Sequence, residues 1–403
     1  MRRLILTEYS PSVDPVELSL DQRDFLQRAL PSIAIAPARG RLDAYVLTPG
    51  STIGVARIGE LTVEIRPKLA IERVMFLIGY AIDRGSWSEE TTELAHASLV
   101  EAIAPAFIAH TRRAFRRGLL QGYRTEEDAL TTIRGRIRFD DQIRRRLGSY
   151  PPVEVRFDEF TEDFEPNRLI KAALHQLSRL TRSHGTTRAL RGLEHALERV
   201  ELIRYTPTAI PAVTYNRHNE HYRAAVELAR LILVGSAFEL RQGAVRATAF
   251  TIDMNKVFEN FVVTALRDSL RLDRRSFPQG STGHKLHLDQ ARHVRLRPDI
   301  SWWQRERCVF VGDVKYKRVA LAGYEHPDLY QLLAYATAAN LPGGILIYAH
   351  GEHPESAYSV RHCDRELRVL ALSLAGQPDE ILAQIDAVAA EVKSLRSRAA
   401  AAE

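Results

Sequence analysis

The sequence predicts a multidomain α/β protein with a β-rich N-terminal domain, a mainly helical middle region, and a C-terminal mixed sheet flanked by helices. Three observations favour this fold class. The chain has 403 residues, more than one hydrophobic core usually spans. The apolar pattern changes from a two-residue period near the N-terminus to a helical period in the middle. Near the C-terminus helical and strand patterns alternate, as they do in a sheet covered by helices.

The composition is that of a folded protein with a basic excess. Hydrophobic residues make up 45% of the chain, charged residues 26%, and the formal net charge is +6. These values exclude global disorder and are compatible with a polyanionic partner such as DNA. No apolar run approaches the roughly 20 residues that cross a bilayer, and two cysteines provide no disulfide framework. We therefore expect a cytoplasmic protein without a membrane partner.

The first predicted domain covers residues 1–130. Its segment 45–69 has short alternating runs separated by glycines, the pattern of hairpins with one buried face. Pro67 ends the last run, because proline cannot continue a central strand. From residue 71 the spacing becomes helical, which predicts helices after the hairpins.

The middle region is predicted at residues 131–245 and the third domain at 246–395, with a flexible tail at 396–403. In the middle region two strand segments precede three helical ones. In the third domain the predicted order is an amphipathic helix with Asp253 as N-cap, a hairpin, a helix and a strand. These elements are placed at 251–272, 294–303, 308–317, 328–340 and 345–349.

The predicted hairpin carries the residues that hydrolysis of a phosphodiester requires. Asp313 and Lys315 are two positions apart and therefore share one face of their strand. A symmetric register about residue 306 sets Asp299 opposite Asp313, whereas a shift by one residue places the carboxylates on opposite faces. Two carboxylates can hold Mg²⁺, and a lysine beside the metal can orient the attacking water. The alternative is a structural Asp313–Lys315 ion pair, because this triplet is frequent by chance.

The same segments resemble the nuclease motifs of the McrC family, the endonuclease subunits of McrBC-type modification-dependent restriction systems within the PD-(D/E)xK nuclease superfamily. The resemblance rests on LRPDI (296–300), VGDVKYKR (311–318) and DLYQLLAYA (328–336). It extends to MNKVFENFV (254–262) and to segments without catalytic residues, such as IGELTVEIRPKL (58–69). It implies a restriction-endonuclease-like fold for the C-terminal domain.

The resemblance also implies roles for individual residues. Glu259 would join Asp299 and Asp313 as metal ligands for Mg²⁺, with Mn²⁺ as a substitute, and Lys315 would position the water. Gln331 and Tyr335 would support the site. The alternatives are a surface position for Glu259, a capping box of Gln331 with Asp328, and a core role for Tyr335. Lys317 and Arg318 are candidate phosphate contacts. The three histidines between residues 284 and 293 fit no zinc pattern, and we interpret them as loop residues.

The chain contains no GxxxxGK[ST] phosphate loop, so we expect that it binds no nucleotide itself. The resemblance supplies a partner, a McrB-like AAA+ GTPase hexamer that recognises 5-methylcytosine-type modified DNA and is docked by the N-terminal domain. The predicted function is a Mg²⁺-dependent DNA endonuclease that stimulates GTP hydrolysis by this partner. The alternatives are a RecB-like DNA repair nuclease and a non-catalytic DNA-binding regulator of an AAA+ motor.

Overall fold

The computed structural model describes residues 2–41, 43–82, 98–236, 238–242, 245–280, 284–318, 326–350 and 356–401. Ten α-helices and several β-sheets lie in these ranges, which confirms the predicted mixed α/β class. None of the helices there combines the length and apolarity needed to cross a bilayer. The chain forms two compact units: Met1–Ala97 with Thr251–Glu403, and Ser98–Phe250. This division differs from the predicted boundaries at residues 130, 245 and 395.

The N-terminal part of the first unit contains the predicted hairpins. Strand β6 pairs parallel with β1 and antiparallel with β5, while β4 pairs antiparallel with β2 and with β3. Helix α1 was not predicted; Ser19 and Gln22 form a capping box at its N-terminus. The elements are β1 (Arg2–Thr7), β2 (Val16–Glu17), α1 (Leu20–Ala29), β3 (Ala34–Pro37), β4 (Ala44–Thr48), β5 (Thr52–Ile58), β6 (Leu61–Arg66) and α2 (Ile71–Ile82).

The second unit combines helices with a three-stranded sheet in which β9 lies between β7 and β8. Gly135 precedes β8 at φ +72°, and a Cβ there would collide with the Arg156 carbonyl oxygen, so the close approach requires glycine. Helix α5 packs against α6 and α7. The elements are α3 (Leu99–Phe115), β7 (Gly122–Leu130), β8 (Arg136–Ile137), α4 (Phe139–Arg146), β9 (Val153–Thr161), α5 (Glu165–Leu180), α6 (His184–Ala196), α7 (Arg223–Gly235), β10 (Phe238–Gln242) and β11 (Val245–Asp253), whose end enters the first unit.

The C-terminal part of the first unit is a five-stranded mixed sheet in the order β14-β15-β16-β18-β17. The three central strands are parallel, and both edge strands are antiparallel to their neighbours. The elements are α8 (Met254–Leu270), β12 (Leu286–His287), β13 (Arg295–Leu296), β14 (Ile300–Gln304), β15 (Arg307–Arg318), α9 (His326–Ala338), β16 (Gly343–His350), β17 (Ser356–Ser359), β18 (Glu366–Ala371) and α10 (Pro378–Ala401).

Helices cover both faces of this sheet. On one face Val311 of β15 packs with Tyr335 and Ala336 of α9. On the other face the ring of Tyr316 lies 5.9 Å from that of Phe258 in α8. Residues 311 and 316 point to opposite sides because their positions differ by an odd number. Helix α10 packs against α8 and includes residues 396–401, which the sequence assigns to a flexible tail; residues 402–403 lie outside the described ranges.

Candidate active site

The hairpin of β14 and β15 brings the two predicted aspartates together. Ile300 pairs with Gly312, so the next position places Asp299 opposite Asp313. The backbone N–H of Val314 donates a hydrogen bond to Asp299 Oδ2 at 3.0 Å. A bulge shifts the register only beyond Trp302, towards the turn. The register that the predicted site requires is therefore confirmed.

Asp313 lies at the centre of this arrangement and is only 1% exposed. The hairpin register sets Asp313 opposite Asp299, and the charge of Asp299 acts on the Asp313 carboxyl group. Lys315 Nζ lies 2.5 Å from Asp313 Oδ2, which makes no hydrogen bond of regular geometry. The sheet thus holds two carboxylates and one ammonium group side by side.

The charges of this cluster are strongly coupled. Burial raises the pKa of the Asp313 carboxyl group well above its usual range, and the charge of Asp299 raises it further, although Lys315 opposes both effects. Burial alone would lower the pKa of Lys315, but the charges of Asp313 and Asp299 outweigh it and raise that pKa. A second cation would relieve the repulsion between the carboxylates.

Glu259 approaches the cluster from α8. Burial raises the pKa of its carboxyl group; the hydrogen bond from Lys256 opposes this effect, and the charge of Asp299 adds to it. Glu259 Oε1 accepts that hydrogen bond from Lys256 Nζ at 2.6 Å. Across the described part of the chain, no three carboxylate, imidazole or thiol groups converge into a metal-binding set. The role of Glu259 as a third ligand stays a prediction.

Gln331 and Tyr335 support the backbone that carries Asp299. Gln331 Nε2 donates to the Tyr335 hydroxyl at 2.7 Å, and this hydroxyl donates to the Arg297 carbonyl oxygen at 3.1 Å. Burial and the charges of Asp313 and Asp299 raise the pKa of Tyr335, so the hydroxyl stays a donor. The structure therefore joins the two predicted supporting residues in one hydrogen-bonded chain that ends two residues before Asp299.

The alternative capping box of Asp328 and Gln331 does not form, because α9 begins at His326 and Asp328 lies within its first turn. Asp328 is 7% exposed and accepts a hydrogen bond from the Tyr348 hydroxyl at 2.6 Å. Its charge contributes to the raised pKa of Lys315. The sequence prediction missed this residue, although a tyrosine in the apolar strand 345–349 signals a buried hydroxyl in need of a partner.

Two further contacts that the sequence does not reveal hold strand β15 next to Lys315. The Tyr316 hydroxyl donates to Glu8 Oε1 at 2.9 Å, and the Tyr9 hydroxyl donates to the Tyr316 carbonyl oxygen at 3.0 Å. Both partners follow strand β1, about 300 positions earlier in the chain. The side chains of Lys317 and Arg318 lie outside the described part of the structure.

The pair Asp299–Asp313 fits Mg²⁺. Magnesium is usually bound through one or two carboxylates, and water and substrate phosphate complete its shell. Asp313 Oδ2 is buried and lies 2.5 Å from Lys315 Nζ, so a cation bound by the two aspartates would lie beside the lysine ammonium group. Hard oxygen donors of this kind also suit Mn²⁺.

Comparisons with known proteins agree with the resemblance seen in the motifs. Residues 47–349 match the family model described as McrBC 5-methylcytosine restriction system component. The chain is 24% identical over 253 residues to the type IV methyl-directed restriction enzyme EcoKMcrBC of Escherichia coli K12, covering 58% of this chain and 72% of that protein.

Two solved assemblies from Thermococcus gammatolerans are also similar. One contains McrB AAA+ hexamers with bound McrC; the match covers 96% of this chain and 100% of the matched chain, at a TM-score of 0.52 and 16% identity. A second McrBC complex matches at a TM-score of 0.41 and 19% identity, covering 67% of this chain and 88% of that one. The first match supports the fold. Because the family model covers about three quarters of the sequence, this chain belongs to the McrBC 5-methylcytosine restriction system component family.

Proposed function

We propose that this chain is the Mg²⁺-dependent DNA endonuclease subunit of a modification-dependent restriction system. The observation that supports this function most strongly is the hairpin register, which sets Asp299 opposite Asp313, with Lys315 Nζ 2.5 Å from Asp313 Oδ2. Two acids and a lysine on adjacent strands are the minimal set for metal-assisted phosphodiester hydrolysis. A purely structural Asp–Lys pair would not account for a second, half-buried carboxylate opposite Asp313.

Each residue of the cluster has a defined task in this proposal. Asp299 and Asp313 would hold Mg²⁺, with Glu259 as a further acidic group from α8. When bound, the ion offsets phosphate charge and lowers the pKa of a bound water molecule. Lys315 carries a positive charge that stabilises charge developing on the phosphate and orients the attacking water through its N–H groups. Tyr335 and Gln331 keep the Asp299 backbone in place.

Recognition and regulation are proposed to come from a partner. One similar solved assembly contains McrB AAA+ hexamers with bound McrC, and the family model names a 5-methylcytosine restriction system. The sequence contains no phosphate loop of its own. We therefore propose an AAA+ GTPase partner that selects DNA with a 5-methylcytosine-type modification. The N-terminal region of this chain would bind that partner, and the partner would hydrolyse GTP faster when this chain is bound.

The test is cleavage of methylated and unmethylated plasmid in Mg²⁺, with and without a McrB-like AAA+ protein and GTP. We compare the wild type with Asp313→Asn and with Asp379→Asn, an exposed aspartate on α10. The proposal predicts cleavage of methylated plasmid by the wild type and Asp379→Asn only with the partner, and loss of at least 100-fold in Asp313→Asn.

Other outcomes would select other functions. Cutting that is independent of methylation and partner would indicate a repair nuclease. Stimulated GTP hydrolysis without cutting by either the wild type or Asp313→Asn would indicate a regulatory subunit and contradict the endonuclease proposal.

A further inference from the structure

A small β-ribbon leads directly into the candidate active site. Strands β12 and β13 pair antiparallel, with Leu286 opposite Leu296 and His287 opposite Arg295. Three residues after Leu296 the chain reaches Asp299. A short piece of backbone therefore connects the ribbon to a candidate metal ligand.

The turn of the ribbon is held by its own hydrogen bonds. The N–H groups of His293 and Val294 donate to the Asp289 carboxylate at 3.1 and 2.7 Å. The Leu288 N–H donates to the Val294 carbonyl oxygen at 2.9 Å. These backbone hydrogen bonds lower the pKa of Asp289, so the one acidic side chain between residues 284 and 297 is engaged inside the turn.

One side of the ribbon is anchored to the catalytic sheet. Leu286 and Leu296 pack in one apolar cluster with Tyr335 and Ala336 of α9. Because the two leucines are directly opposite each other, they lie on the same side of the ribbon. Tyr335 also holds the Arg297 carbonyl oxygen, so the ribbon and Asp299 are fixed to the same helix.

The remaining surface of the ribbon carries several exposed basic side chains, together with the exposed apolar side chains of Leu288 and Val294. Exposed lysine or arginine side chains occur at positions 285, 292, 295 and 297. The exposed side chain of His293 lies 3.6 Å from the Asp289 carboxylate. An exposed, positively charged ribbon beside a phosphodiesterase site is complementary to a polyanion.

We propose that residues 285–297, the basic ribbon, grip the DNA duplex beside the phosphate that is cut. This inference rests on the proposed nuclease function and assigns a substrate contact to it. The major groove of DNA, about 12 Å wide, admits a two-stranded β-ribbon, and lysine and arginine contacts to phosphates supply sequence-independent affinity. The leucines anchor one side of the ribbon, and the exposed side chains of Lys285, Arg292 and Arg297 can contact the duplex.

The distance along the chain between the basic side chains and Asp299 limits how far from the cut phosphate the ribbon can contact DNA. An extended chain spans at most about 3.3–3.6 Å per residue, so Arg297 and Arg295 lie at most about 7 and 14 Å along the chain from Asp299. At about 3.4 Å per base pair, these distances correspond to two to four base pairs from the cut phosphate. We expect the ribbon to protect backbone positions within this distance on one side of the cut.

The experiment measures binding rather than cutting. The triple variant Lys285→Gln/Arg292→Gln/Arg297→Gln is compared with a control, Arg274→Gln/Arg361→Gln/Lys393→Gln, which removes the same charge from exposed positions elsewhere in the first unit. Affinity for a methylated 30-base-pair duplex is measured by fluorescence anisotropy between about 50 and 300 mM KCl, with Ca²⁺ in place of Mg²⁺ and the full-length chain in complex with its AAA+ partner.

Each phosphate contact contributes about 0.9 to the slope of log K against log salt concentration. The ribbon triple is therefore expected to lose at least ten-fold in affinity at 0.1 M salt and to have a slope smaller by about two to three. The control should stay within about two-fold of the wild type. As a second variant with minimal effect on folding, Arg292→Glu at the exposed turn should weaken binding more than Arg361→Glu.

Equal affinities and slopes for the ribbon triple and the control would overturn the inference, and so would absence of DNA binding by the wild-type complex. The outcome is separable from the nuclease proposal through Asp313→Asn. If Asp313→Asn cuts like the wild type while the ribbon triple binds weakly, the nuclease site is wrong and the DNA grip stands. If Asp313→Asn fails to cut while the ribbon triple binds DNA as tightly as the wild type, the nuclease site stands and the proposed DNA contact of the ribbon is wrong.

Discussion

Replacing Asp313 with asparagine should remove much of the pH dependence of the free energy of unfolding below neutral pH when no divalent cation is bound. The pKa of Asp313 is raised, so in the folded protein it keeps its proton at pH values where the unfolded chain, with an ordinary value of 3.8, has lost it. The folded state then binds more protons than the unfolded state. The contribution of this proton to the free energy of unfolding is fully present below about pH 4. It falls as the pH rises towards the pKa of Asp313 in the folded protein.

The magnitude follows from one proton. Within this window the free energy of unfolding of the wild type falls by about 1.4 kcal/mol per pH unit relative to a chain without the group. Asp313 is 1% exposed, so solvent screens the effect little. Between pH 5 and 6.5 the wild type should lose about 2 kcal/mol relative to Asp313→Asn, and 10 mM MgCl₂ should reduce that loss because a bound cation stabilises the charged form.

The assay is urea unfolding of both proteins at several pH values, with and without MgCl₂. Asp379→Asn serves as the control, because it removes an exposed carboxyl group outside the carboxylate cluster. Parallel profiles for wild type and Asp313→Asn would refute the reasoning, because they would mean that the folded protein does not raise the pKa of the buried Asp313 carboxyl group.

Three further substitutions have clear expected results. Tyr335→Phe removes the hydrogen bond to the Arg297 carbonyl oxygen, worth about 1 kcal/mol, and should lower kcat about five-fold with little change in KM; an unchanged kcat contradicts the positioning role. Asp163→Asn should destabilise the second unit by about 1–2 kcal/mol in urea unfolding, since hydrogen bonds from Arg168 lower the pKa of Asp163 to about 2. This contribution is present above about pH 4 and is lost as the pH falls through 2, so a variant as stable as the wild type at pH 7 refutes it. Gly135→Ala should destabilise the folded protein by about 2–3 kcal/mol and so lower its thermal midpoint. Gly148→Ala, at φ +81° but in open space, should destabilise it less, and equal losses would contradict the contact with Arg156.

The sequence was informative about the active site because the site is local. Asp299, Asp313 and Lys315 belong to one hairpin, so strand alternation and a symmetric register were enough to place them together. The bulge at Trp302 was not predictable, but it lies on the turn side of the aspartates and leaves their pairing intact. Helix α8 was placed correctly because its apolar spacing is regular and Asp253 is its N-cap.

Elements whose partners are remote in sequence were not predictable in the same way. Strand β7, with the sequence GYRTEEDAL, has mostly polar side chains, and its pairing with β9 is reinforced by contacts such as Thr125 with Asp158. The alanine-rich end of α10 looks like a frayed tail, yet Arg398 bonds to Glu366 of β18 at 2.9 Å. Neither contact leaves a periodic signal.

The largest difference between expectation and structure is the placement of the N-terminal segment. Residues 1–97 share a compact unit with the sheet that carries the candidate site, and one reason is the buried carboxylate of Glu8, which accepts a hydrogen bond from the Tyr316 hydroxyl. Ser51 likewise donates to Asp253 at 2.9 Å, at the start of α8. A sequence read in order separates these residues by more than 200 positions, so composition and periodicity suggest separate domains.

The central claim is that the carboxylates of Asp299 and Asp313 form a divalent-metal site. Isothermal titration calorimetry with Mn²⁺ on the wild type, Asp299→Asn and Asp379→Asn tests this claim most directly. Saturable binding in the wild type and in Asp379→Asn, and its loss or at least ten-fold weakening in Asp299→Asn, is the predicted result. Equal Mn²⁺ affinity and stoichiometry in all three proteins would contradict the assignment.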